Sequence, residues 1–303
     1  AKSCQSGTLH FEIGYLETFV FKRFNLLHDV MTKDANDPIQ ILEHFDIAQN
    51  IIVEKLTGRG CKFLAEPNGN KTYVTAALQC PEIQTMTAQA GEITLYPYQV
   101  SETLQKSLIE REFNDSPAYF KQQITDLLKL PKEERKAICI GVHGTDNNWI
   151  DFLLWLNSNY GKDGDDSLWF PSQEEYYEYN YYRLNSHISI AQIDASSFKL
   201  TVNLPGEKFF YYPSTTINLP GISMYDIVSI EGNDALTGLS YADYKDGIML
   251  NIDCRKYLFE HAENFVKRYE ANPSDASNKA DALYFVNILK ESAKKEALKK
   301  RLQ

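Results

Sequence analysis

The pattern of apolar and polar positions changes character along the 303 residues. In the first part, helical periodicity alternates with short apolar runs. Ile41, Leu42, Phe45, Ala48, Ile51 and Ile52 recur at helical spacing, Asp37 suits an N-cap and Pro38 the first turn. These predict a helix from about Pro38 to Leu56, closed by Thr57-Gly58. A short strand over 62–65 then runs into a Pro-Asn-Gly turn, and residues 92–96 (EITLY) read as another strand. One or two helices fit 100–130. The run AICIGV at 137–142 predicts a strand buried on both faces of a parallel sheet, with His143 at its carboxyl end. Helices are expected over about 149–160 and after Pro171, where Ser172 and Glu175 have capping-box spacing.

Alternation of helix and buried strand argues for parallel βα units, hence a barrel or a doubly wound sheet. Ligands sit at the carboxyl ends of the strands in both. Two polar segments stand there: Glu66-Pro67-Asn68-Gly69-Asn70 and His143-Gly144-Thr145-Asp146. From 187 to 253 the texture becomes strand-like alternation broken at Pro, Gly and Asn, which predicts an antiparallel sandwich. Helices near 256–270 and 279–300 end the chain. The predicted organisation is an α/β domain over 1–184 and a β-rich accessory domain with terminal helices over 185–303.

Composition narrows the function. With 43% hydrophobic and 24% charged residues, the chain is neither disordered nor fibrous. A net charge of −10 repels phosphate backbones, so no nucleic-acid partner is expected. No apolar run approaches the roughly 20 residues that span a bilayer. Residues 1–8 lack a signal peptide's apolar core, so any such leader is expected to have been removed. Five cysteines without a CxxC argue against a disulfide framework or a structural zinc site. GxSxG, P-loop, GxGxxG and HExxH motifs are absent. Nineteen Tyr and 16 Phe tilt slightly toward sugars, whose C–H faces pack on aromatic rings.

Residues 41–70 (ILEHFDIAQNIIVEKLTGRGCKFLAEPNGN) resemble the polysaccharide deacetylases of the carbohydrate-esterase type. In that family a helix ending in Thr-Gly leads through a strand to a loop written R-x-P-Y-G or F-x-x-P-x-G. Phe63, Pro67 and Gly69 match, while the Arg is missing. AICIGVHG at 137–144 resembles the family's last motif, an apolar strand ending in His, and residues 169–183 resemble a helix that some bacterial members carry after the barrel. The likeness covers roughly 25–185.

The resemblance implies a (β/α) barrel, whether whole, incomplete or distorted, followed here by a β-sandwich-like domain with two terminal helices. It implies a divalent metal, zinc foremost, that polarises an acetamide carbonyl and activates water. It gives His143 the role of general acid. Counting back from the matched helix, His28 falls near the metal motif, with Asp29 beside it as ligand or base. The family's Asp-Asp strand and its H-x-x-x-H motif are not found. Either an amino-terminal segment carrying the first strands is expected to be missing, or the chain is a divergent member with a reduced metal site.

Each candidate has a plainer role open to it. His143 can cap a sheet, and His28 can be a hydrogen-bonded loop residue. Glu66, Asn68 and Asn70 can line a sugar pocket or serve turn chemistry. Trp169 and the tyrosines at 176, 177, 179, 181 and 182 can form a stacking platform, but their spacing spreads over several helix faces, so most should pack inside. Asp163, Asp165 and Asp166 lack the Glu of a calcium loop and read as a solvated turn. The expected function is a metal-dependent carbohydrate esterase acting on an acetylated polysaccharide or oligosaccharide outside the cytoplasm. The rival is a non-catalytic glycan-binding protein on the same scaffold.

Overall fold

The structure, a computed structural model, describes residues 35–55, 60–142, 146–161, 163–165 and 167–303. It divides into two compact units, Ala1–Asn180 and Tyr181–Gln303. Mixed helix and parallel strand in the first unit make it an α/β fold.

In the first unit, helix α1 (Pro38–Lys55) starts where Asp37 accepts the Ile39 N–H at 2.9 Å. Its Gln49 clamps the returning chain, exchanging two hydrogen bonds with the Cys61 backbone at 2.9 and 2.7 Å. Strand β1 (Phe63–Ala65) leads through a tight turn at Pro67–Gly69 to helix α2 (Lys71–Gln79). Strands β2 (Thr85–Ala88) and β3 (Leu108–Glu110) follow, and the three strands lie parallel in the order β1-β2-β3. The register sets Ala65 opposite Thr87 and Thr87 opposite Ile109. Met86, Ala88 and Leu108 pack on Ala77, Cys80 and Ile83, with Leu42 and Phe45 of α1. By the two-residue period of strands, Thr85, Thr87 and Ile109 occupy the other face. They too are buried, so the sheet is covered on both sides, as parallel sheets are.

Short strands β4 (Glu112–Phe113) and β5 (Ile140–Gly141) form a second parallel pair. Helices α3 (Pro117–Leu127) and α4 (Asn147–Tyr160) pack through Phe120, Ile124, Trp149, Phe152 and Leu156. Asp146 caps α4, accepting from the backbones of Asn148 and Trp149 at 3.0 and 3.2 Å. Helix α5 (Gln173–Asn185) begins at Ser172, whose hydroxyl accepts the Glu175 N–H at 3.1 Å. Among the described residues no sheet closes on itself.

Several sequence expectations differ from this unit. Helix α2 and strand β2 were not legible, because KTYVTAALQ mixes β-branched residues into a helix and TMTA is half polar. The segment 100–130 holds one helix, with β3 and β4 before it. Residues 92–96 contribute a single bridge, Ile93 to Ile109, and a Leu95 carbonyl that accepts from Ala137 at 2.7 Å. Of the run 137–142 only two residues are strand, and its side chains are mostly half-buried rather than enclosed on both faces.

In the second unit, β6 (His187–Gln192) and β7 (Phe198–Asn203) make an antiparallel ribbon. Strands β8 (Ser214–Pro220), β9 (Gly238–Tyr244) and β10 (Gly247–Asp253) form an antiparallel sheet in the order β8-β10-β9. Every residue of β6 is exposed, so the ribbon is not one layer of a buried two-sheet core. Helices α6 (Leu258–Ala271), α7 (Ala276–Asn287) and α8 (Ala293–Arg301) share a core of Leu258, Phe265, Val266, Val286, Leu289 and Leu298. The stretch expected as one helix over 279–300 is two. Residues 288–290 leave the helix to bond β9 and the residue before it: Leu239 donates to the Ile288 carbonyl at 2.9 Å, and Lys290 to Thr237 at 3.0 Å. Lys295 then caps the interrupted end, donating to the carbonyls of Asn287 and Leu289 at 2.9 and 2.6 Å.

Candidate functional site

Polar groups gather at the carboxyl ends of β1, β2 and β3. Glu66 follows β1, and its N–H donates to the Thr87 carbonyl at 2.8 Å, extending the ladder by one bond. Its side chain is 1% exposed. Lys71 Nζ lies 3.0 Å from Oε1, but that ammonium is half in solvent and also donates to the Ala90 carbonyl. Although the ion pair is close, neither carboxylate oxygen receives a hydrogen bond of good geometry among the described residues.

Arg111 follows β3, held by its N–H to the Ala88 carbonyl at 2.7 Å. Its Nη2 donates to the Glu66 carbonyl at 3.1 Å, so the guanidinium reaches across the end of β2. Gly141 makes room for it: a Cβ there would stand 2.9 Å from Arg111 Cδ and 2.8 Å from the Phe113 ring. Arg111 Nε and Thr87 Oγ1 are buried and, among the described residues, have no hydrogen-bond partner. Each orphaned buried polar group costs about 1–3 kcal/mol, and three at one end of one sheet call for an explanation.

Asn68 and Asn70 also have local roles in the turn and the helix that follows it. Asn68 sits exposed at the turn with φ 51°, a left-handed conformation that Asn tolerates. Asn70 caps α2, accepting the Thr72 N–H at 3.0 Å, and donates to the Ala35 carbonyl at 2.9 Å. Trp169 is 51% exposed and packs on Tyr179 and Tyr176 at ring separations of 5.0 and 6.0 Å. Both of these ring contacts are with α5. Trp169 covers the outer side of α5, whose inner side meets the amino ends of the strands.

There, Lys62 is fully buried, 2.6 Å from Glu178 and 3.5 Å from Glu174. Gln173 donates to Thr85, and the Tyr177 hydroxyl to Gln84. Burial, reinforced by the Glu174 carboxylate, pushes the Cys61 thiol up to about 12. Burial raises Cys139 to about 11, against the pull of the Arg111 guanidinium.

His28, Asp29 and His143 lie outside the described residues, as does Asp166. Among the described residues, no group of three or more His, Cys, Asp or Glu side chains could hold a metal ion. Sequence reasoning found Glu66 from its place after a strand and before Pro-Asn-Gly. It missed Thr87 and Arg111, which no motif marks and only strand register brings together. No described helix is long and apolar enough to cross a membrane.

The profile of a family described as "Putative polysaccharide deacetylase" matches residues 7–303. No curated protein matches the chain.

Proposed function

The chain belongs to this polysaccharide deacetylase family, and from that premise we propose that it hydrolyses acetyl groups on a polysaccharide or oligosaccharide. The match over 7–303 carries the reading, because it takes in nearly the full chain rather than one motif. The orphaned polar groups at the carboxyl ends of β1–β3 support it, since ligands of parallel α/β folds bind at that end.

In this reading the first unit is a (β/α) barrel of the family's type, and the second an accessory β domain. His143, two residues beyond β5 in the chain, donates a proton to the leaving amine or alcohol as the carbonyl carbon is attacked by water. Asp29 takes the proton from that water. A divalent metal such as zinc, held with His28, would polarise the carbonyl and favour hydroxide when bound. Glu66, Asn68 and Asn70 contact sugar hydroxyls near the cleaved group. Trp169, on the outer side of α5, offers a ring to a more distant sugar. The net charge of −10 favours neutral or basic glycans over acidic ones.

Acetate release from acetylated glycans tests the reading, run with and without chelator on the wild type and His143→Ala. Release that falls at least a hundredfold in His143→Ala supports the general acid, and loss with chelator supports the metal. No release by the wild type from any acetylated glycan refutes the deacetylase. Undiminished glycan binding in that case would favour a non-catalytic binding protein.

A further inference from the structure

We propose that the second unit binds a neutral polysaccharide on the open face of its β8-β10-β9 sheet. The inference rests on the deacetylase reading only for the class of polymer. Strand alternation gives the sheet two faces. Ile217, Ile248 and Leu250 stand side by side on one and are buried. On the other, the register sets Asn218 beside Met249 and Met249 beside Ala242. The neighbouring row is Thr216, Asn251 and Ser240, and Tyr244 stands one row beyond Ala242. The Thr216 hydroxyl donates to the Asn251 amide oxygen at 3.4 Å, so both side chains rise from the same face. Thr216, Asn218, Ala242, Tyr244 and Met249 are exposed.

Charge identifies the occupant. The chain is 24% charged, yet the one ionisable carboxylate or cation on this face is Asp253. That carboxylate is buried and held by Arg255 at 2.6 Å. Solubility alone is served by charged side chains, and this face presents none to water. Its amides and hydroxyls offer both donors and acceptors to a sugar hydroxyl. Unlike ions, they exchange water for that partner at little desolvation cost. Rows lie about 6.8 Å apart and strands about 4.8 Å apart, so hydrogen-bonding groups repeat in two directions, as hydroxyls do along a polymer. Tyr244 adds a ring for the C–H face of a sugar. Lys245 lies over one side of that ring at 5.1 Å, and Tyr244 is still 39% exposed. An acidic polymer would find no cation among the residues of the face. A protein partner would find no apolar centre, since the Thr216-Asn251-Ser240 row is polar across all three strands.

The test is electrophoresis of the full chain in native gels containing soluble xylan, galactomannan or hydroxyethyl cellulose, with polygalacturonate as the acidic counterpart. The wild type should be retarded by at least one neutral polymer and not by polygalacturonate. Asn218→Asp puts a carboxylate on the face with little change of shape, and Tyr244→Ala removes the ring. Each should weaken binding by about tenfold or more. Ser229→Asp adds the same charge at an exposed position outside the sheet and should bind as the wild type does. Thermal scans check folding: Asn218→Asp should melt within about 2 °C of the wild type, because its side chain is exposed. If Tyr244→Ala melts early, Asn218→Asp decides. Absence of retardation by every neutral polymer overturns the proposal. So does stronger retardation by polygalacturonate, equal binding by Asn218→Asp and the wild type, or equal weakening by Ser229→Asp. Acetate release is scored separately on short acetylated oligomers. None from the wild type sinks the deacetylase reading and leaves the binding result standing on its own.

Discussion

Replacing Lys62 with Met should destabilise the first unit more than any exposed substitution. Lys62 precedes β1 at the amino end of the sheet, with its ammonium 2.6 Å from Glu178 and 3.5 Å from Glu174. All three side chains are nearly or wholly inaccessible, and the Lys62 N–H adds a 3.3 Å bond to Glu174. Met fills similar volume but removes the cation that both carboxylates face. Removing one partner of a buried ion pair costs about 3–5 kcal/mol. In a unit of this size each kcal/mol moves the transition by about 2–4 °C, so a fall of roughly 6–20 °C is expected. Urea unfolding and thermal scans followed by circular dichroism would measure it. Combining Lys62→Met with Glu178→Gln should recover part of the loss, since one stranded charge disappears. A Lys62→Met protein melting within about 2 °C of the wild type, a shift worth under 1 kcal/mol, would refute the reasoning, as would a double variant less stable than the single one.

Three further outcomes follow from described contacts. Cys61 and Cys139, raised to about 12 and about 11, should resist iodoacetamide at pH 8 in the folded protein and react once it is unfolded in urea, as read by peptide mass mapping. Burial pushes Glu112 up but is outweighed by hydrogen bonds from Tyr119 and Gln123 and by the Lys136 ammonium, so its folded pKa lies below the ordinary glutamate value. Its ionised form therefore adds stability above the unfolded pKa of about 4.3, lost as pH falls through the folded value; urea unfolding across pH 6 to 3 should show a steeper decline for the wild type than for Glu112→Gln. Gly91→Ala should destabilise by about 2 kcal/mol or more in the same assay, because an added Cβ would collide with the backbone of Ile109 and Glu110.

The sequence disclosed elements wherever local chemistry and periodicity agreed. The start of helix α1 was legible because Asp37, Pro38 and the apolar stripe point the same way, while its expected close at Thr57-Gly58 lies outside the described residues. The capping pair Ser172 and Glu175 located the start of α5. Tertiary contacts decided the rest. AICIGV looks like a long buried strand, yet among the described residues its strand pairing covers just Ile140 and Gly141, with Ala137 bonded to Leu95 outside any strand. The last helix breaks because β9 draws the backbone of 288–290 into hydrogen bonds that no local pattern announces. For the site, Glu66 stood out beside a turn formula, whereas Thr87 and Arg111 are 21 and 45 positions further along the chain. Only the β1-β2-β3 register joins them, and register is not written in any one segment.

The exposed β6–β7 ribbon bears on how the protein is handled. HISIAQ carries no Lys, Arg, Asp or Glu, and Ile188, Ile190 and Phe198 face water. Within the described residues each strand has one flank that bonds no other strand. Such an uncharged flank invites a copy of itself. Concentrated stocks should therefore scatter light increasingly during storage, more so in salt, and a lysine in place of Ile190 should keep them clear.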